Sequence, residues 1–167
     1  VDITVPAGIS SWGYGAEMSC CRQLYSTTRP VACLIVARGS TSLEVDWNVD
    51  EPAATVEMWP KLKEYAEGFR DALEAAGETP KYKAFVWWQG ENDSGSSVQS
   101  AAYEYNLRRL FTYVRAVTMN PNLPIIICKT VTPLTNTYLP EEQAAQQSAA
   151  DTMTGVYMYD PSALPLY

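Results

Sequence analysis

The sequence predicts a doubly wound α/β fold, in which an open parallel sheet lies between two layers of helices. Strand-type and helix-type segments alternate along the 167 residues. The strand-type segments are apolar throughout, which is typical of parallel strands buried on both faces. Polar loops broken by a glycine follow two of these segments, at 39–41 and 89–93. Because ligand chemistry in an open α/β sheet lies where strands end, these two loops are the first candidates for a functional site.

Composition limits the classes of function. Apolar residues make up 47% of the chain, the net charge is −7 and the pI is about 4.6. An acidic surface argues against nucleic acid and anionic membranes as partners. No apolar run approaches the roughly 20 residues that cross a bilayer. The sequence shows no linker, no internal repeat and no change of composition along its length, so residues 1–167 are expected to form a single domain.

The four cysteines are expected to be reduced thiols, which indicates that the protein is assembled in a reducing compartment. Cys33 and Cys128 lie inside apolar strand-like runs and are predicted to be buried, whereas Cys20 and Cys21 lie in a helical stretch. None has CxxC spacing and the chain contains no histidine, so a metal site is not expected. For the same reason, a Ser–His catalytic pair cannot be complete within these residues.

The first part of the chain predicts two strands and one helix. Residues 1–5 form a candidate edge strand. Helical spacing of apolar residues follows over 15–27, and Pro30 ends that helix. The run 31–37 is continuously apolar and rich in β-branched residues, which predicts a strand covered on both faces. It leads directly into the polar loop that begins at Arg38.

The rest of the chain predicts three more βα steps. Pro60 suits a first helical turn, and Gly77 suits the position after a helix end. Between them, Leu62, Tyr65 and Phe69 form an apolar stripe at helical spacing. The predicted helices are 60–76, 97–117 and 140–153, and the predicted strands are 82–88, 123–130 and 155–159.

Right-handed crossovers would bring the ends of neighbouring strands to one rim of the sheet, where the two polar loops would converge. Gly39 would then contribute a backbone amide beside the side-chain amides of Gln89 and Asn92. Such donors can stabilise the negative charge that develops on a carbonyl oxygen, each contributing roughly 3 kcal/mol. The sequence therefore predicts an oxyanion-binding site.

Other interpretations of the second loop stay open. The strand could simply stop at a polar turn, with Asn92 and Asp93 capping the next helix. Glu91 and Asp93 could form a carboxylate pair for glycoside chemistry or hold a metal ion, although no third ligand is evident. Neither loop carries GxGxxG or GxxxxGK, so a nucleotide cofactor is not expected.

Several motifs resemble one family of hydrolases. Residues 88–93, WQGEND, resemble the W-x-Q-G-E-x-D signature of the sialate O-acetylesterase-like and carbohydrate esterase family 6 branch of the SGNH hydrolases. Residues 39–43, GSTSL, followed by Trp47, are similar to its G-G-T-S-L…W block, with serine in place of the second glycine. Residues 12–18 and 156–166 resemble its first helix entry and last strand. The resemblance spans nearly the whole chain and implies a flavodoxin-like, three-layer fold.

The resemblance also implies roles for the loop residues. Gly39 would supply an oxyanion-hole amide, and Gln89 and Asn92 would supply further oxyanion donors. Glu91 and Asp93 would be carboxylates that organise the loop.

The same block implies substrate contacts. Thr41 would bind substrate. Trp47 would either form a wall against which a sugar stacks or pack within the core or loops.

The chain departs from the family pattern at both ends. The early nucleophile block of the family, G-Q-S-N or G-D-S after the first, central strand, is missing. Ser10, in Gly8-Ile9-Ser10, is only a weak candidate because it stands just before the 12–18 block. The D-x-x-H block that would follow the last strand is also missing. The domain is therefore expected to be incomplete at both ends, without its first central strand, and to contact another protein chain or a missing segment.

Two functions follow from the sequence. The first is an SGNH-type carbohydrate O-acetylesterase acting on acetylated sugars, whose catalytic Ser and His lie outside this chain. The second is a degenerate, non-catalytic fold that serves as a carbohydrate-binding or structural module of a larger assembly such as a virion. Both favour an extracellular or virion-associated protein.

Overall fold

The computed structural model describes residues 16–26, 30–50, 57–131 and 136–163. The chain divides into two compact units, residues 1–35 and residues 36–167. The first unit contains helix α1, Ala16–Leu24. The second unit contains a parallel sheet, the other helices and both polar loops.

The elements of the second unit follow the predicted order. Its helices are α2 (Met58–Ala75), α3 (Ser97–Val117) and α4 (Leu139–Thr152), and its strands are β1 (Phe85–Trp87), β2 (Ile125–Cys128) and β3 (Val156–Tyr159). Two short 3-10 turns cover Asp93–Gly95 and Pro161–Ala163. All three helices lie within two residues of their predicted bounds, and the strands are shorter than predicted. None of the described helices is long and apolar enough to cross a membrane.

The sheet has the order β1-β2-β3, and both strand pairs are parallel. Its register pairs Trp87 with Ile127 and Ile127 with Met158. Because α3 joins β1 to β2 and α4 joins β2 to β3, the unit is a βαβαβ succession. This confirms an α/β fold with a parallel sheet and is consistent with a flavodoxin-like arrangement.

One face of the sheet forms the core together with α3 and α4. The inward positions of the strands pack against the apolar stripe of α3, which gives a single buried cluster. The fully buried members of that stripe and the central strand are Leu107, Leu110, Phe111, Ile125 and Ile127. Trp87 is 3% exposed and belongs to the same buried cluster.

The opposite face of the sheet carries exposed apolar side chains. Val86 and Tyr157, paired through Ile126, are 55% and 61% exposed. Within the described part of residues 36–167, helices therefore cover one face only. The three-layer arrangement with two helix layers stays a prediction.

The strand predicted at 31–37 is wrong: these residues are described, and none of them is in a strand. An apolar, β-branched run favours extended backbone, but a strand forms only when a neighbour supplies N–H and C=O partners. Cys33, predicted to be buried in that strand, is exposed. Cys128 lies in β2 and is partly buried. The predicted strand at 1–5 lies outside the described residues.

Leu110→Ala tests the core described above. The Leu110 side chain is fully buried, so its truncation is expected to lower the free energy of unfolding by about 2–5 kcal/mol. Urea unfolding followed by circular dichroism measures this change. Val98→Ala, at a position of the same helix that is 70% exposed, is the control and should stay within about 0.5 kcal/mol of the wild type. Equal effects of the two variants would contradict the assignment of the α3 core face.

Candidate functional site

The two polar loops meet in a cleft at the carboxyl end of β1. The cleft has a volume of about 290 Å³. One wall is formed by residues 38–41, and the other by Trp88, Gln89, Glu91 and Asn92. The predicted convergence of the loops is therefore confirmed, even though the strand expected before the first loop is not formed.

Asp93 joins the second loop to the first, which continues without a helix or strand from residues 39–41 through Glu44. The Asp93 carboxylate is fully buried and accepts hydrogen bonds from the Leu43 N–H at 3.0 and 2.9 Å, and from the Glu44 N–H at 3.3 Å. It also accepts one from Nε2 of Gln89 at 2.6 Å. A single side chain thus links Asp93 to residues that are 49 and 50 positions away in the sequence.

The surroundings of Asp93 suit a carboxylate. Burial raises the pKa of Asp93 above its usual value, and the hydrogen bonds from Gln89, Leu43 and Glu44 offset only part of this rise. All these partners are N–H donors, which an ionised carboxylate can accept and a protonated one cannot accept fully. The alternative in which Asp93 and Asn92 cap the next helix is wrong: the N-cap of α3 is Ser96, whose hydroxyl accepts from the Gln99 N–H.

Gln89 is held on both of its amide hydrogens. Nε2 donates to Asp93 and, at 3.0 Å, to the carbonyl oxygen of Thr41. The side chain is 8% exposed, and its Oε1 is a buried atom without a hydrogen-bond partner among the described residues. In this arrangement Gln89 connects the second loop to the first through its amide hydrogens. Its Oε1 is left without a hydrogen bond to a described residue.

A buried polar cluster holds the backbone of the second loop from below. The Gln89 carbonyl oxygen accepts from the Tyr103 hydroxyl at 2.8 Å, from Thr130 Oγ1 at 3.0 Å and from Gln146 Nε2 at 3.2 Å. Gln146 is fully buried, and its Oε1 accepts from the Thr130 N–H at 3.0 Å. Burial raises the pKa of Tyr103 well above its usual value, so the phenol stays protonated and can donate. Two helices, α3 and α4, and the segment after β2 thereby fix one carbonyl group.

Glu142 lies beneath Gly90, at the start of α4. The carboxyl group is fully buried, and neither oxygen has a hydrogen-bond partner among the described residues. Gly90 has a φ of 151°, which favours glycine, and an added Cβ would overlap Oε1 of Glu142. The loop backbone and this carboxyl group are therefore in close contact.

Glu142 is a neutral acid in this setting. Burial is the largest cause that raises its pKa to about 9, and the charges of Asp93 and Glu91 add to it. The nearby Thr130 hydroxyl acts in the opposite direction and lowers this pKa, by less than burial and the charge of Asp93 raise it. An unpaired buried carboxylate costs several kcal/mol, so it takes up a proton.

Thr41 and Trp47 are buried in the structure. The Thr41 hydroxyl donates to the Arg38 carbonyl oxygen at 3.0 Å and accepts from Nε1 of Trp47 at 3.1 Å. The Trp47 ring packs edge-on against Trp87, with 5.1 Å between ring centroids. Of the two alternatives for Trp47, the geometry favours packing over a sugar-stacking wall. In contrast, Trp88 lines the cleft and is 57% exposed.

The remaining predicted residues lie at the open side of the cleft. Gly39 is exposed, and a Cβ built on it would meet nothing within 4 Å. Asn92 is exposed, and its side chain makes no capping hydrogen bond. Glu91 is also exposed. Its backbone carbonyl oxygen accepts a hydrogen bond from Asn136 Nδ2 at 2.7 Å, which connects the loop to the start of the segment before α4.

Two further predictions concern a nucleophile and a metal. Ser10 lies outside the described residues. Within the described ranges, no three acidic, cysteine or histidine side chains are arranged to hold a metal ion.

Sequence reasoning missed the support below the loop. Glu142 and Gln146 are four residues apart on one helical face, which they share with buried Ala145 and Ala149. Polar side chains within an apolar helical stripe are the signal that could have revealed them. The alanine- and glutamine-rich composition of α4 concealed it.

The fold and the site define an α/β protein with polar loops that meet where its parallel strands end. A family model described as carbohydrate esterase, sialic acid-specific acetylesterase, matches residues 2–166. The chain belongs to this family, and the resemblance stated from its motifs is confirmed.

A solved structure also resembles the chain. It is the X-ray structure of a protein from Arabidopsis thaliana at 1.6 Å resolution, with a TM-score of 0.59 and 25% sequence identity. The match covers 77% of this chain and 48% of the plant protein, so the chain spans about half the length of that relative. No curated protein matches the chain significantly.

Asp93→Asn tests the link between the loops. The asparagine amide would present N–H groups to N–H donors, so the free energy of unfolding should fall by about 2–4 kcal/mol. Denaturant unfolding measures the loss. Asp151→Asn is the matched control, because Asp151 is exposed and its one hydrogen bond to a described residue comes from Gln147 on the same helix. A change no larger than that of the control would mean that Asp93 does not join the loops.

Glu142 should make stability depend on pH. Its folded pKa of about 9 lies above the usual value of 4.5, so between these values the folded state holds a proton that the unfolded state has lost. The contribution is fully present below pH 4.5 and is lost as pH rises towards 9, by up to about 1.4 kcal/mol per pH unit.

The test of this linkage compares the wild type with Glu142→Gln in urea at pH 5 to 9. The difference in unfolding free energy between the two proteins should change steadily with pH, in favour of the variant at high pH. Parallel curves for the two proteins would show that the Glu142 carboxyl group does not hold the proton.

Proposed function

We propose that the chain carries the oxyanion-binding part of a carbohydrate O-acetylesterase site, with acetylated sugars as the substrate class. The observation that carries this proposal is the fixed pairing of the two loops by Asp93 and Gln89. That pairing leaves Gly39 and Asn92 at an open cleft. Membership of the carbohydrate esterase family supports the substrate class.

The proposed chemistry is ester hydrolysis. When a serine oxygen attacks the acetyl carbonyl carbon, negative charge develops on the carbonyl oxygen, and the Gly39 N–H and the Asn92 amide would donate hydrogen bonds to it. Donors that are already oriented need no reorganisation during the reaction, which is why they lower the barrier. Gln89 and Asp93 would act by holding the two loops at a fixed separation, because both Gln89 amide hydrogens are engaged.

The nucleophile and the base would come from outside these residues. The chain has no histidine, so a histidine base that takes the serine proton would belong to other polypeptide. This segment or partner chain would lie across the cleft from Gly39 and Asn92. No metal or cofactor enters the proposed reaction.

A matched pair of substitutions at Gly39 tests the oxyanion role in the natural full-length protein. Gly39→Pro removes the N–H donor, whereas Gly39→Ala keeps it and places a methyl group in open space. Acetate release from an O-acetylated sugar should fall about 10²–10³-fold in kcat for the proline variant and stay near the wild-type rate for the alanine variant. Equal rates for the two variants would overturn the assignment of Gly39.

The absence of histidine favours a second candidate, a non-catalytic glycan-binding or structural module such as a virion component. In that case the full-length protein would release no acetate from O-acetylated sugars or from p-nitrophenyl acetate. Calorimetric binding of the same sugars before and after chemical removal of the acetyl group then separates a binding module, which prefers one form, from a structural one. Acetate release that requires the Gly39 N–H would exclude both versions.

A further inference from the structure

The contact between Glu142 and Gly90 joins the first turn of α4 to the backbone of the cleft loop. A Cβ at Gly90 would overlap Glu142 Oε1 and would come within 2.7 Å of its Cδ. This is a contact between backbone and side chain with no spare space. The position of the carboxyl group therefore limits the path of the chain between Gln89 and Glu91.

The Gly90 backbone also carries the hydrogen bond that starts the next turn. Its carbonyl oxygen accepts from the Ser94 N–H at 3.0 Å, which closes the turn around Asp93. On the other side, the Gln89 carbonyl is held by Tyr103, Thr130 and Gln146. The backbone dihedral angles of Gly90 are therefore the rotatable bonds between two held carbonyl groups, those of Gln89 and Gly90. Glu142 packs against the backbone at this position.

We propose that Glu142 is a positioning residue of the cleft: its buried carboxyl group, packed against Cα of Gly90, sets the loop path that aligns Gln89 with Asp93 and Thr41. Its role in an esterase site rests on the function proposed above. The positioning role itself concerns the geometry of the loop and can be measured without any catalysis.

The charge on Glu142 matters for this role. The titratable groups that face it are Asp93 and Glu91 from the loop and Tyr103 from α3. The carboxylates of Asp93 and Glu91 are themselves negative, so neither can neutralise a charge on Glu142. The Tyr103 hydroxyl cannot donate to Glu142 because it already donates to the Gln89 carbonyl oxygen. A carboxylate at position 142 would repel Asp93 and draw in water, and both effects would push the Gly90 backbone away.

The experiment follows the Gln89 side-chain amide by ¹⁵N NMR in the 167-residue chain, from pH 5 to 10. The signal is assigned by its loss in Gln89→Leu. In the wild type, the two amide protons should be protected from exchange at low pH and lose protection at least tenfold as Glu142 ionises. Glu142→Gln, which has the same shape and no charge, should keep the protection and remove the pH transition.

Two further variants complete the test. Glu142→Ala removes the group that packs against Gly90, so the Gln89 amide protons should lose protection at least tenfold even at pH 5. Glu141→Gln alters the neighbouring, exposed carboxylate and should leave both the protection and the transition unchanged. If Glu142→Ala does not fold, the comparison of the wild type with Glu142→Gln still decides the matter.

The proposal is overturned if Glu142→Gln titrates like the wild type, or if Glu142→Ala keeps full protection of the Gln89 amide. Failure of the esterase proposal looks different. In that case acetate release would be absent or insensitive to Gly39→Pro, while the Gln89 signals would still respond to Glu142.

Discussion

The Asp93 carboxylate is the interaction on which the candidate site depends. One buried side chain accepts hydrogen bonds from two backbone amides of the first loop and from Gln89 of the second. Hydrogen bonds to an ionised group are stronger than neutral ones, and removal of such a buried acceptor leaves several donors unpaired. Because the first loop does not follow a strand of the sheet, these hydrogen bonds, rather than strand pairing, connect the two cleft walls.

A second layer of polar groups supports the first from within the core. Tyr103, Thr130 and Gln146 all donate to the Gln89 carbonyl oxygen, and the nearby carboxyl of Glu142 packs against Gly90. Buried polar networks cost free energy unless their members are satisfied, and in return they specify one arrangement. Here only the Gln89 Oε1 and the Glu142 carboxyl lack partners among the described residues of this cluster. These two groups lie at the points where the loop meets the cleft and where it meets α4.

The sequence predicted those elements correctly whose formation depends on a single local signal. Helices α2 and α3 follow from apolar periodicity, and the polar loop from 89 to 93 follows from its abrupt change of composition. Residues 31–37 have the right composition for a strand, but strand formation depends on a pairing partner that composition does not identify. The supporting role of Glu142 was hidden because the cost or benefit of a buried acid depends on neighbours distant in sequence, here Gly90 and Asp93. Gln89 was predicted as an oxyanion donor, and only its three-dimensional partners show that its N–H groups are already engaged.

The central claim is that an ionised Asp93 holds the first loop against the second, and amide hydrogen exchange at Leu43 tests it most directly. The Leu43 N–H donates to both carboxylate oxygens of Asp93. Its exchange at pH 7 should therefore be slowed by several orders of magnitude relative to an unstructured peptide, with a downfield proton shift that marks a carboxylate acceptor. Exchange at the rate of an unstructured peptide, in a chain whose α3 amides remain protected, would contradict the account.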